Sequence, residues 1–338
     1  MLFCVAAGTI ALFSRTATSS GNKISSGTLY IGKENGEKGA LDTFIALKDM
    51  IPGAEPEKLE LRVKNLGTMP AYLSGISAEI EDGDEKFVAN ALRVVCTDGE
   101  GNVLYKGSLL ALDGDVVPLR RKLAMEPDKT TRLNVSVQLD ERAGNWYKGK
   151  EIEFSLAVHA GQRPDQPMAG MVTVAEADNV QAVLDQAQPG DVVLIPPGRY
   201  GRLAINVPGV AVKAQGVVFD TEVEGFLIDG RPGEVSSPHG KKGKKHLTDD
   251  NQIWIQGLTI NDLDAGGGIV VRSGQTCIAD NIISSEGNAV FVDGHAEVNV
   301  TRNDLTGSAG LPCPPGSGNG LSAHYNLGVD LDPEKYAL

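Results

Sequence analysis

The strongest constraint in this chain of 338 residues is an internal repeat toward its C-terminal end. Ile255-Gln-Gly-Leu258-Thr-Ile260 aligns with Ile278-Ala-Asp-Asn281-Ile-Ile283 and with Val300-Thr-Arg-Asn303-Asp-Leu305, at offsets of 23 and then 22 residues. A second register runs beside it, through Gly268-Ile-Val-Val271, Asn288-Ala-Val-Phe-Val292 and Asn319-Gly-Leu-Ser-Ala323. A chain that returns to one angular position at such a period stacks its short strands in parallel, about 4.8 Å apart. Each coil hides its inward side chains only against neighbouring coils, so Ile, Leu and Val must recur at matching positions. The pattern predicts a parallel β-helix with Ile255, Ile278 and Val300 in one column. Asn281 and Asn303 share a bend, where stacked amides can hydrogen-bond between coils and offset their own burial.

The β-helix is expected over 171–338, behind a short helix within 175–187 whose buried stripe would be Val180, Val183 and Leu184. An inserted loop, 231–250, interrupts it with Lys241, Lys242, Lys244 and Lys245 between His239 and His246. On an acidic chain that cluster is a candidate contact for anionic polysaccharide or a neighbour's acidic face, or else a solvated loop. Residues 163–170, polar with two prolines, read as a linker. Ahead of it, 12–162 holds short apolar segments broken by turns such as Pro52-Gly53 and Asp98-Gly-Glu-Gly-Asn102. Leu133, Val135, Val137 and Leu139 alternate, as do Ile152, Phe154, Leu156 and Val158, which indicates an antiparallel β-sandwich. The 41 glycines and 5% aromatic content suit turn-rich β structure, so the fold class is all-β.

A net charge of −13 argues against a nucleic-acid partner, which requires clustered cations. The opening run MLFCVAAGTIALF is uncharged and shorter than the roughly 20 residues that span a bilayer. It reads as the apolar region of a secretory signal over 1–11, cut after Ala11, and the mature chain is then not an integral membrane protein. No basic region precedes it, which marks either a misplaced start or a fragment. Cys96, Cys277 and Cys313 remain after the cut and define no disulfide framework; a Cys277–Cys313 pair and free buried thiols stay open.

Motifs in the first half appear in a fixed order: Gly8-Thr-Ile-Ala-Leu-Phe13, Thr16-Ala-Thr-Ser-Ser-Gly21-Asn22, Leu47-Lys-Asp-Met-Ile-Pro52-Gly53, Val63-Lys-Asn65-Leu-Gly67, Ala143-Gly-Asn145-Trp-Tyr147-Lys-Gly149 and His159-Ala-Gly-Gln162. This half resembles the TasA/camelysin family of secreted fibre and surface proteins. The resemblance implies a jelly-roll-like sandwich, an extracellular or cell-surface location and, in some members, fibres in which one subunit's N-terminal segment completes the next subunit's sheet. The donor here would be Leu12 to Asn22, including Phe13 and Ala17. Camelysin is classed as a metallopeptidase, but none of the five histidines forms an H-E-x-x-H pair, so no metal site is expected. The second half, from Val180 through Pro196-Pro-Gly-Arg-Tyr200, resembles the pectate-lyase-like right-handed parallel β-helix proteins, a fold that serves lyases, hydrolases and non-catalytic adhesins.

The repeat places Arg272 after Val271, Asp293 after Val292 and His324 after Ala323, which would bring all three to one angular position on successive coils. Such a row offers a cation, a carboxylate and a base to an acidic sugar; a solvated outer face is the plainer reading. Asp262, Asp264, Asp280 and Asp293 are candidates for a carboxylate pair, although Asp280 reads more simply as a bend residue. No cofactor is expected beyond loosely bound calcium. The residues favour a structural role over catalysis: a surface or biofilm-matrix subunit that self-associates into a homopolymer. The alternative is a surface protein that binds, or cleaves by lyase or hydrolase chemistry, a cell-wall or matrix polysaccharide.

Overall fold

The computed structural model describes residues 14–16, 31–33, 43–47, 49–80, 85–165, 170–230, 251–262, 267–308 and 320–324. Within these, 14–16, 31–33, 43–46, 85–86, 293–295, 306–308 and 320–324 are described by backbone placement. The chain divides into two compact units, Met1–Val172 and Thr173–Leu338. The division falls just past the expected linker because Gly170 O accepts from Val116 N at 3.1 Å and Val172 N donates to Val116 O at 3.0 Å. Those bonds tie residues 170–172 to the first unit.

The strands of the first unit are β1 (Ser14–Thr16), β2 (Ile31–Lys33), β3 (Thr43–Leu47), β4 (Glu57–Asn65), β5 (Ala71–Ile80), β6 (Leu92–Asp98), β7 (Val103–Ser108), β8 (Val117–Met125), β9 (Thr130–Leu139) and β10 (Ile152–Gly161). They form two antiparallel sheets of a jelly-roll-like sandwich. One sheet runs β1–β10–β5–β8, with β3 also on β10, and the other runs β2–β4–β9–β6–β7. The two predicted alternations are realised, since Leu133, Val135, Val137, Leu139, Ile152, Phe154, Leu156 and Val158 are all buried. Each such side chain contributes roughly 1.5–3 kcal/mol through the apolar surface it removes from water. The Asp98 turn closes as its residue types suggest, with the carboxylate accepting from the backbone N–H of Glu100 and Asn102, each at 2.9 Å. A one-turn helix, α1 (Glu85–Ala89), was not legible in the sequence, because five residues carry no helical period.

The second unit is a parallel β-helix of about 5 turns. Its chain runs through β11 (Thr173–Val174), α2 (Val180–Gln186), β12 (Val192–Ile195), β13 (Gly198–Tyr200), β14 (Leu203–Ile205), β15 (Ala211–Ala214), β16 (Thr221–Val223), β17 (Phe226–Asp229), β18 (Gln252–Gln256), β19 (Thr259–Asp262), β20 (Ile269–Ala279), β21 (Ile282–Ser285), β22 (Val290–Thr301), β23 (Asp304–Ser308) and β24 (Gly320–His324). Three faces result. The first stacks β12, β15, β18 and the later halves of β20 and β22 above β24; the second stacks β13, β16, β19, β21 and β23; the third stacks β14, β17 and the early halves of β20 and β22.

The predicted column is present and extends in both directions: Val193, Val212, Ile255, Ile278, Val300 and Ala323 are consecutive register partners. So is the asparagine ladder. Asn281 Oδ1 accepts from Leu258 N at 3.0 Å, and Asn281 Nδ2 donates to Ile255 O and to Asn303 Oδ1, each at 3.0 Å. Asn303 repeats the pattern one coil on, accepting from Asn281 N at 2.9 Å and donating to Ile278 O at 2.9 Å. The preceding residue in each coil, Gly257, Asp280 or Arg302, turns the corner at positive φ, 74°, 59° and 54°. At the N-terminal end α2 caps the stack: the Gln181 side-chain amide donates to Ala204 O at 3.1 Å and accepts from Ala204 N at 2.9 Å, pairing with the edge strand β14 as another strand would.

One expected alignment is corrected. Residues 320–323 do not continue the column of Val271 and Val292, because β24 pairs Leu321 with Val298 and Ala323 with Val300, on the first face. Its alternation of apolar and small residues fits either face, and the sequence alone could not choose between them.

Candidate functional site

The three corners of the β-helix carry different chemistry. Between the first and second faces, Asp280 is fully buried and holds Arg302 through two bonds of 2.8 and 2.9 Å, while accepting from Gln256 Nε2 at 2.8 Å. This is a bend residue with a structural ion pair, as its place beside Asn281 suggested. Between the second and third faces, buried Asp262 accepts from Arg202 Nη2 at 3.2 Å. Asp262 and Asp280 therefore turn different corners, each with an arginine partner, and the backbone of Asp293 lies at a third; Asp264 lies outside the described residues.

The third corner, where β20 and β22 run unbroken from the third face to the first, has the most promising geometry. Asp229, Ser273 and His295 are register partners on three consecutive coils. Ile228 is followed directly by Asp229, whereas Arg272 is inserted between Val271 and Ser273, and Asp293 and Gly294 are inserted between Val292 and His295. The corner widens coil by coil through β-bulges, and the residues bulged out of register include two of the three sequence candidates. Bulges of this kind re-aim side chains and recur beside functional sites. Arg272 is exposed, and Ser273 Oγ donates to Asp229 Oδ1 at 2.7 Å. Gly274, at φ 86°, shapes the turn: a Cβ there would lie 2.5 Å from Gly230 O. Only glycine lets those two backbones meet at the root of the inserted segment.

Beside the corner, the third face presents an outward column of Ala204, Leu227, Val270 and Phe291, alternating with the core residues Ile205, Ile228, Val271 and Val292. All but Val270 are partly exposed. An exposed guanidinium, a hydroxyl bonded to a carboxylate and an adjoining apolar strip are groups suited to a sugar ring bearing an acid.

The backbone thus brings Arg272 and Asp293 together and leaves His324 apart. His324 pairs with Thr301 on the first face, one further consequence of the β24 register. Sequence reasoning missed Asp229, Ser273 and His295. The signal was available as one extra residue per coil after each Ile or Val, but spacing alone does not distinguish a bulge from a slip.

In the sandwich, the site of interest is one edge of β10. Its inner side pairs with β5, and its other side is shared by β3, from Ile152 to Leu156, and β1, from His159 to Gly161. Ser14–Thr16, inside the expected donor segment, therefore adds to this edge within the same chain. Leu12, Phe13, Ala17 and Asn22 lie outside the described residues, as do the 1–11 segment and Lys241, Lys242, Lys244 and Lys245. At the β1 end, His159 is buried with Nε2 2.8 Å from Ser77 Oγ, and burial pushes its pKa down to about 4. Cys96 and Cys277 are free buried thiols, each pushed up to about 12 by burial, which leaves them protonated and unreactive near neutral pH.

No protein-family model matches the chain. Among the described residues, no helix is long and apolar enough to cross a membrane, and no group of three or more His, Cys, Asp or Glu side chains is placed to hold a metal ion.

Proposed function

We propose that this chain is a secreted cell-surface or biofilm-matrix subunit of the TasA/camelysin type that polymerises by exchanging its N-terminal strand between heads and carries a β-helix as its second domain. The observation that supports this reading is the antiparallel pairing of Ser14–Thr16 with His159–Gly161, at an edge that β3 leaves uncovered. Main-chain bonds to such an edge contribute roughly 1 kcal/mol each. They are indifferent to which copy supplies the strand, so a short segment docked in its own chain can dock equally in a neighbour's. The test is negative-stain microscopy of the full chain and of a variant lacking Leu12 to Asn22. Filaments should form with the former and vanish with the latter, while both domains keep their cooperative unfolding. Filaments that survive the deletion, or a full chain that stays monomeric, would defeat the reading.

A second reading draws on the bulged corner of the β-helix. An acidic polysaccharide of the cell wall or matrix fits a site where Arg272 supplies charge, Ser273 and Asp229 supply hydrogen bonds and Phe291 supplies a partly exposed aromatic surface. Titration with uronic-acid polymers, read by calorimetry and by the ultraviolet absorbance of unsaturated products, separates binding from cleavage. Binding that is unchanged in Arg272→Ala would remove this site.

A further inference from the structure

The β-helix buries a lysine that none of the sites above uses. Lys213 lies on β15 between Val212 and Ala214, which belong to the domain's apolar core, so its own side chain leaves the strand on the opposite side. It is nevertheless only 1% exposed. Its register partner on the next coil is Gln256 of β18, also 1% exposed. The partners that flank these two in the same column, Leu194 and Ala279, are fully buried. Stacked strands lie about 4.8 Å apart, so the column holds an amine-bearing and a carboxamide-bearing side chain as neighbours, between apolar ones.

The carboxamide is fixed at one end only. Gln256 Nε2 donates to Asp280 Oδ2 at 2.8 Å, while Gln256 Oε1 is buried with no hydrogen-bond partner. Asp280 is itself held by Arg302 through bonds of 2.8 and 2.9 Å. The amide is therefore oriented by its nitrogen and open at its carbonyl. Condensation of an amine with an amide needs a neighbouring nucleophile, a group that can carry a proton to the leaving nitrogen, and the exclusion of water that would compete. Fixing the two reactants side by side replaces a slow encounter in solution with a local one.

We propose that Lys213 and Gln256 join in an intramolecular isopeptide bond between adjacent coils of the β-helix. Lys213 Nζ, as the neutral amine, adds its lone pair to Gln256 Cδ. The Nζ–Cδ bond forms, the Cδ–Nε2 bond breaks, and Nε2 departs as ammonia. Asp280 Oδ2, already bonded to the leaving nitrogen, carries to it the proton that Nζ gives up. The carbon keeps its oxidation state, so the step needs no oxidant, reductant or further reactant. The position suits such a tie. Three register pairs, Ala211–Trp254, Val212–Ile255 and Lys213–Gln256, join β15 to β18, and the chain between those strands carries the inserted segment 231–250. An insertion raises the entropy cost of bringing the two strands together, and a covalent link removes it.

Mass spectrometry of the full chain, folded, purified and then denatured, tests this. Loss of one ammonia should place the intact mass about 17 Da below the value that the amino-acid sequence requires. Tryptic digestion of the unfolded chain should yield one branched peptide containing both Lys213 and Gln256, with no cleavage after Lys213. Lys213→Arg keeps the cation but withholds the amine, and Gln256→Met withholds the amide. Each should bring the mass back to that of its own sequence and return the linear peptides. The measurement on the unaltered chain decides the matter even where a variant folds poorly. A linear peptide ending at Lys213 as the main product from the folded chain overturns the proposal. So does a loss of ammonia that persists in Lys213→Arg, which would assign the condensation to other residues.

Discussion

The two halves of the molecule bury polar side chains by opposite rules. In the β-helix the buried asparagines are answered by their own repeat: Asn281 bonds Asn303 one coil away, and both close backbone groups of the coil before them. In the head each buried polar group has a private arrangement. Asn65 bridges Met69 O and Met125 O, Asn90 receives the Tyr147 hydroxyl, and His159 meets Ser77. A solenoid satisfies a recurring need once and copies the solution, whereas a sandwich must solve each case through contacts distant in sequence. Substitutions should therefore act within the solenoid on one unit alone, and in the head on a particular edge.

The largest expected effect lies at the first corner of the β-helix. Asp280→Ala leaves the Arg302 guanidinium without its carboxylate partner and removes the acceptor of Gln256 Nε2. Breaking a buried pair from one side costs about 3–5 kcal/mol. Alanine at φ 59° adds backbone strain. Chemical denaturation followed separately by Trp146 in the head and Trp254 in the β-helix should show the loss in the second signal only. Equal destabilisation of both would mean that the two units do not unfold independently, and the contrast between them would fail.

This contrast also explains what was legible beforehand. Ile255, Ile278 and Val300 were visible as a column because each repeats the same need at a fixed offset, and the asparagines betrayed the bend for the same reason. The head disclosed its alternating strands but not their partners: nothing near Ile152 in sequence indicates that it pairs with Leu47. The corner site fell between these cases. Arg272 and Asp293 stood out as candidates because they follow core residues, while the register of Ser273 with His295 was hidden by the bulges that displaced them. His324 was misplaced because an apolar alternation does not say which face it belongs to.

A smaller effect should appear in the head on acidification. His159 takes up a proton near pH 6.5 when unfolded but only near 4 when folded, because burial disfavours the imidazolium. Its contribution is complete above pH 6.5 and is lost as the pH falls toward 4, amounting to about 3 kcal/mol across that window. His159 pairs with Thr16, so the loss is placed where β1 docks. His159→Gln should flatten the pH dependence of head unfolding between 6.5 and 4 and leave the β-helix transition as it was. A profile equally steep in the variant would assign the acid sensitivity elsewhere.

The smallest stability effect, and the sharpest functional one, belongs to Arg272. Its side chain is exposed on a bulge, outside the columns that hold the coils together, so Arg272→Ala should change the stability of the β-helix by no more than about 0.5 kcal/mol. Asp280→Ala and Arg272→Ala then form a matched pair: two charged positions in the same domain, one inside the ladder and one displaced from it. If the corner binds an acidic polymer, Arg272→Ala weakens binding with the fold intact, and the effect shrinks as salt is raised because the contact is exposed. A stability loss at Arg272 comparable to that at Asp280 would show that the bulge is part of the scaffold. The reason for reading function into this departure from the repeat would then be gone.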